Sequence, residues 1–173
     1  MRAGMNIDAA SALPAILIGA GATLVLDIWS LFLQRAFNVP FPNLCLLGRW
    51  LGHMPRGKFA HVGLANAART RAECAVGWIA HYAIGAVFAL AFVALAPADW
   101  LRRPILLPAL LFGVVTVLFP YLIMQPAFGL GIAASKTPEP NAARVKSLVS
   151  HGVFGIGLNL SAVVASRLSS IHA

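Results

Sequence analysis

Acidic side chains are scarce in this chain of 173 residues, where five Asp and Glu stand against thirteen Lys and Arg. Charged residues of both signs make up only 10%, against about 25% in soluble domains, so a soluble globule would lack the charges to cover its surface. Cysteine is nearly absent as well. Cys45 and Cys74 form no CxxC pattern, so they do not make a metal site by themselves, and a disulfide between them requires an oxidising compartment on their side of the membrane. HExxH, HxxxH, GxSxG and GxxxxGK[ST] are all missing, so no motif fixes metalloprotease, hydrolase or nucleotide chemistry. Nor is there a basic stripe interleaved with aromatics, a zinc-knuckle or a helix-turn-helix spacing, which excludes nucleic acid as a partner. The net charge of +8 then reads as positive-inside bias and attraction to anionic headgroups.

What is present is apolar length: 60% of residues are hydrophobic and the mean hydropathy is +0.82. Four segments, 13–33, 74–96, 105–128 and 147–168, each approach the ~20 residues that span a hydrocarbon core. The first is too long for a signal-peptide core, has only Arg2 as a basic flank and lacks a cleavage site, so it is expected to be a retained helix. The expected fold is an all-α integral membrane bundle of four transmembrane helices, a single domain over 1–173. A short interfacial helix is expected in the first loop, where NLCLLGRWLGHMPRGKF places Leu44, Leu47, Leu51 and Met54 at helical spacing beside Trp50. Pro120 and Pro126 should kink the third span, and Asn141, after Pro138 and Pro140, is the expected N-cap of the last.

An even number of spans places both termini on one side. Nine basic residues fall on the side of the two larger loops, and Arg2, Arg102, Arg103 and Arg167 fall on the other. The excess predicts cytoplasmic loops and periplasmic termini for a protein of a bacterial inner membrane.

Within the spans, polar residues stand out. ECAVGWIAHYAIGAVFALAFVALAP carries His81 about a third of the way in, and an unpartnered polar group in hydrocarbon costs roughly 2–7 kcal/mol, so His81 should face the bundle. Gly77, Gly85 and Ala89 share its face and allow another helix to approach. Thr23, Asp27, Ser30 and Gln34 make a polar stripe on the first span; His151, Gly155, Asn159 and Ser166 make one on the last; Gln125 ends the third. At ~1.5 Å rise per residue, Asp27, His81 and His151 lie within ~12 Å of the long-loop side. Asp27, His81, Gln125, His151 and Asn159 are therefore the candidate intramembrane polar site. Arg49, Lys136, Arg144 and Lys146 are candidate contacts for an anion or a lipid headgroup.

LGRWLGHMPRGKF, GWIAHYAIG and LMQPAFGLGIAASKTPEPNAARVKSLVSHGVFGIGLNL together resemble a family of small bacterial inner-membrane proteins catalogued as domain of unknown function 2938, over nearly the whole chain. The resemblance implies a bacterial four-span membrane protein and carries no activity with it. The residues themselves suggest a nonenzymatic module that binds or passes a small solute, proton or lipid, with the bilayer as partner and a homo-oligomer or a partner subunit completing any path. One alternative is a haem b redox protein with His81 and His151 as axial ligands. Another is a lipid-modifying enzyme using His53 and His61 with Asp27 and His81.

Overall fold

The computed structural model describes residues 9–97 and 99–171; Arg2, counted above on the terminal side, lies outside them. Every regular element among the described residues is helical. Helices α1 (Ala9–Phe37), α2 (Leu44–His53), α3 (Glu73–Leu95), α4 (Leu106–Val115), α5 (Gln125–Ala127) and α6 (Pro140–Ile171) follow in chain order, with a π-helical turn, Pro120–Met124, between α4 and α5. Four stretches are long and apolar enough to cross a membrane: Ser11–Phe37, Glu73–Leu95, Leu106–Ala127 and Pro140–Leu168. Their outward faces carry leucine, isoleucine and valine, among them Leu17, Ile28, Ile79, Leu107, Leu122 and Val164, each more than half exposed. With lipid as solvent such a surface needs no further cover.

Glycine sets the helix contacts. A Cβ on Gly19 of α1 would stand 2.6 Å from the Gly85 carbonyl of α3, and one on Gly113 of α4 would stand 2.6 Å from Gly155 of α6. Gly157 of α6 meets Ala22 of α1 in the same way. Backbones therefore approach as only small residues allow, which is how helices associate where the hydrophobic effect cannot drive them together. The resulting order around the bundle is α3, α1, α6, α4. Aromatic rings close the circle between α3 and the third span, with Phe88–Phe119 at 5.8 Å and Phe92–Phe112 at 5.1 Å. At the α3–α4 turn, buried Trp100 packs edge-on against Phe92 at 4.6 Å and donates its indole N–H to the Ile105 carbonyl at 3.0 Å. With Ile18, Ala22, Phe154 and Leu158 it forms an apolar plug across that half of the bundle.

Two expectations at helix ends change. Pro140 itself opens α6, since a proline at the first helical position loses no hydrogen bond, and Asn141 is then inside the helix, where its Oδ1 accepts from Arg144 at 3.0 Å. The helix consequently starts seven residues ahead of the apolar segment. In the third span the break comes at Pro120, which has no N–H to donate; the Gln125 N–H reaches back to the Pro120 carbonyl, the wider π register. Pro126 falls at the start of the short α5.

Candidate functional site

Helix α2 forms where its apolar spacing puts it and docks across α3. Gly48 and Gly77 face each other at the crossing, a Cβ on either overlapping the other helix's backbone. Three residues before each glycine stands a cysteine, so one helical turn carries the contact to Cys45 and Cys74, which form a disulfide across the pair. The polar face of α2 turns inward and builds the rest of the long loop. Arg49 donates Nε to Glu73 Oε2 at 2.9 Å and Nη2 to Oε1 at 2.8 Å, while its Nη1 reaches the carbonyls of Leu64, Ala65 and Ala67. Hydrogen bonding to Glu73, supported by its charge, raises the Arg49 pKa against the opposing effect of burial. Trp50 donates to the Phe59 carbonyl at 2.8 Å, and His53 Nε2 to that of Ala68 at 2.9 Å.

Arg49 is therefore corrected as a headgroup contact: only 6% exposed, it has every guanidinium nitrogen committed within the protein. Arg144 is similarly drawn inward, donating Nε to the Ala133 carbonyl at 2.8 Å. Lys136 stays exposed beside a shallow surface depression that also includes His61 and Ser135. Lys146 donates to the Pro40 carbonyl at 2.7 Å and ties α6 to the linker after α1.

Between these loop elements and the plug lies a cavity of about 380 Å³, within the size range of small-molecule sites. All four spans, α2 and the linker Phe41–Asn43 contribute to its wall. Most of the lining is apolar, with Leu26, Leu47, Ile84, Met124 and five phenylalanines. Its polar members are Asp27, His81, His151, Lys146, Asn43, Thr23 and the serines at 30, 147 and 150.

Asp27 is the centre of the polar part. Its Oδ1 accepts from His81 Nε2 at 3.0 Å and its Oδ2 from the Tyr82 hydroxyl at 3.0 Å, so adjacent residues of α3 hold the two carboxylate oxygens separately. Trp78, one turn earlier on α3, packs on both donor rings, at 6.2 Å from His81 and 6.5 Å from Tyr82. Across the cavity, the Thr116 hydroxyl donates to the Gly113 carbonyl and accepts from His151 Nδ1 at 2.8 Å. Protonation of Nδ1 leaves Nε2 of a neutral ring as a bare acceptor.

The structure thus brings Asp27, His81 and His151 to one cavity and leaves two candidates out of its wall. Gln125 lies one layer behind, donating Nε2 to Ser147 at 3.4 Å, with its Oε1 buried and unpartnered. Asn159 lies two turns further along α6 towards the plug, with a buried, unpartnered amide nitrogen. Tyr82 and Lys146 are the functional neighbours that spacing did not single out for this site; Tyr82 could have been found only by noting that it follows His81 and shares Asp27's depth. For an axial haem ligand, His81 would have to turn its Nε2 from Asp27 to the iron. His53 and His61 pair with each other at 5.0 Å in the long loop and do not line the cavity, which separates them from Asp27 and His81. Among the described residues, no three His, Cys, Asp or Glu side chains come together as a metal site.

A family model described as a protein of unknown function (DUF2938) matches residues 16–165 of the chain. No curated protein and no solved structure matches it.

Proposed function

We propose that this chain, which belongs to the DUF2938 family, is a nonenzymatic membrane module that binds a small, largely apolar solute in the cavity on the loop side of its bundle. The observation that carries the reading is the pairing of a largely apolar cavity with one doubly hydrogen-bonded carboxylate, Asp27. Few convergent polar groups in an apolar pocket are the usual composition of a ligand site. The plug around Trp100 closes the opposite half, which favours binding over passage. Passage of a solute or proton would require that plug to open, and the homo-oligomer or partner subunit expected from the sequence belongs to that version.

We place the protein in the inner membrane of a bacterium, with one change from the orientation suggested by its basic residues. The Cys45–Cys74 bond requires an oxidising compartment, so the loop face is proposed to be periplasmic. Two of the nine loop-side cations, Arg49 and Arg144, are spent on internal contacts, which weakens the opposing charge bias.

The test is thermal unfolding of the purified protein in mild detergent with 3-phenylpropan-1-ol, a neutral solute that the cavity can hold. Ligand at a hundred times its dissociation constant stabilises by about 2.7 kcal/mol. The wild type is expected to gain stability and Ser150→Trp, which fills the cavity, to gain none. Equal gains in both would reject the cavity as the binding site.

A further inference from the structure

Resting on that reading, we infer that the solute class the cavity selects is a monocationic amine with an aromatic or branched apolar body. The inference begins with the distribution of charge. The ionisable side chains in the wall are Asp27, His81, His151 and Lys146. Lys146 has its ammonium turned to the Pro40 carbonyl, on the linker that borders the cavity. His151 presents an acceptor once its Nδ1–H is given to Thr116. Asp27 accepts on both oxygens, from the His81 ring and from the Tyr82 hydroxyl. A carboxylate can take further donors on its remaining lone pairs. Around Asp27 and His151 the wall thus offers acceptors, which an ammonium can use and a carboxylate cannot, while Lys146 supplies its donors at the linker edge.

The remaining wall agrees with this. Phe41, Phe88, Phe119, Phe128 and Phe154 surround the same space, and aromatic rings attract cations through their quadrupoles while accommodating an apolar body. An ammonium within reach of Asp27 makes a charge-assisted hydrogen bond with opposite charges on the two partners. An alcohol of the same shape donates to the same carboxylate without a charge of its own. From the difference between those two bonds, the amine should bind about tenfold more tightly than the alcohol.

Three ligands of one shape test this: 3-phenylpropylamine, 3-phenylpropan-1-ol and 3-phenylpropanoate. Each is titrated into the detergent-solubilised protein, with Trp fluorescence as the readout because Trp78 packs on both Asp27 donors. The expected order is amine, then alcohol at about tenfold weaker affinity, then carboxylate. Asp27→Asn should remove the amine's advantage over the alcohol, and Asp27→Glu should restore much of it. Equal binding of amine and alcohol, preference for the carboxylate, or an amine advantage that survives Asp27→Asn would overturn the class while leaving the cavity reading standing. Failure of all three to bind the wild type would overturn both. Should Asp27→Asn lose the alcohol as well, Tyr82→Phe decides: it keeps the charge and strips one neutral donor, so a lost amine preference there also overturns the class.

Discussion

At the scale of single residues, a buried carboxylate, Glu73, and a half-buried one, Asp27, stand in opposite circumstances. Glu73 is matched by a bidentate guanidinium and a backbone N–H from Thr70. Asp27 has only a phenol and an imidazole. The first arrangement is structural: removing one member leaves the other's charge buried without its partner, whereas removing both leaves no unpaired charge, only backbone groups such as the Ala65 carbonyl and the Thr70 N–H without their partners. Arg49→Ala should therefore lower the unfolding midpoint more than the double change Arg49→Met with Glu73→Leu, as read by thermal denaturation in detergent. The reverse ranking would mean that the pair does not organise the loop. Asp27 was legible from sequence because an acid inside an apolar segment demands a partner, and His81 at a related depth supplied one. The Arg49–Glu73 pair was hidden, because Arg49 sits in a short segment whose position depends on α2 docking against α3. A polar stripe also does not fix helix rotation to within a side chain, which is why Gln125 and Asn159 were grouped with residues whose cavity they do not line.

At the scale of elements, the contacts are made by missing side chains. Gly48 and Gly77 let α2 lie against α3, and the same turns present Cys45 and Cys74 to each other. Gly48→Leu or Gly77→Leu should cost at least the ~1–3 kcal/mol of an overpacked core and prevent the disulfide from closing, seen as unfolding at lower temperature and thiols open to alkylation. Gly63→Ala is the control, since its new Cβ finds nothing nearer than the Asn66 side-chain nitrogen at 3.7 Å, and it should fall within ~0.5 kcal/mol of wild type. A disulfide that still forms in Gly48→Leu would show that the helices have another way to meet. The spans themselves were readable from hydropathy, and the packing face of α3 from Gly77, His81, Gly85 and Ala89. The π turn at Pro120 could be expected only as a kink, because a proline announces a lost hydrogen bond without saying which wider register replaces it.

At the scale of the whole molecule, one half of the bundle is an apolar plug and the other a cavity roofed by α2 and the linker before it. Sequence located the roof as a short amphipathic helix, and order around the bundle appeared only with the fold, since apolar spans of similar composition do not specify neighbours. The proposed orientation rests on the roof's disulfide. In intact cells an impermeant maleimide should label Cys45 and Cys74 after mild reduction and neither before; labelling that needs permeabilised cells would return the loops to the cytoplasm.

Uptake of a solute by the cavity can be followed directly at the methionines. The chain has four, of which Met124 lines the cavity and Met54 does not, both packing against the cluster of Leu47, Trp50, Leu64 and Ala127. With ¹³C-methyl-labelled methionine, titration of 3-phenylpropan-1-ol should shift the Met124 methyl resonance saturably and by more than that of Met54. An unmoved Met124 resonance at ligand concentrations that change the protein's stability would place the solute on the lipid-facing surface and contradict the account.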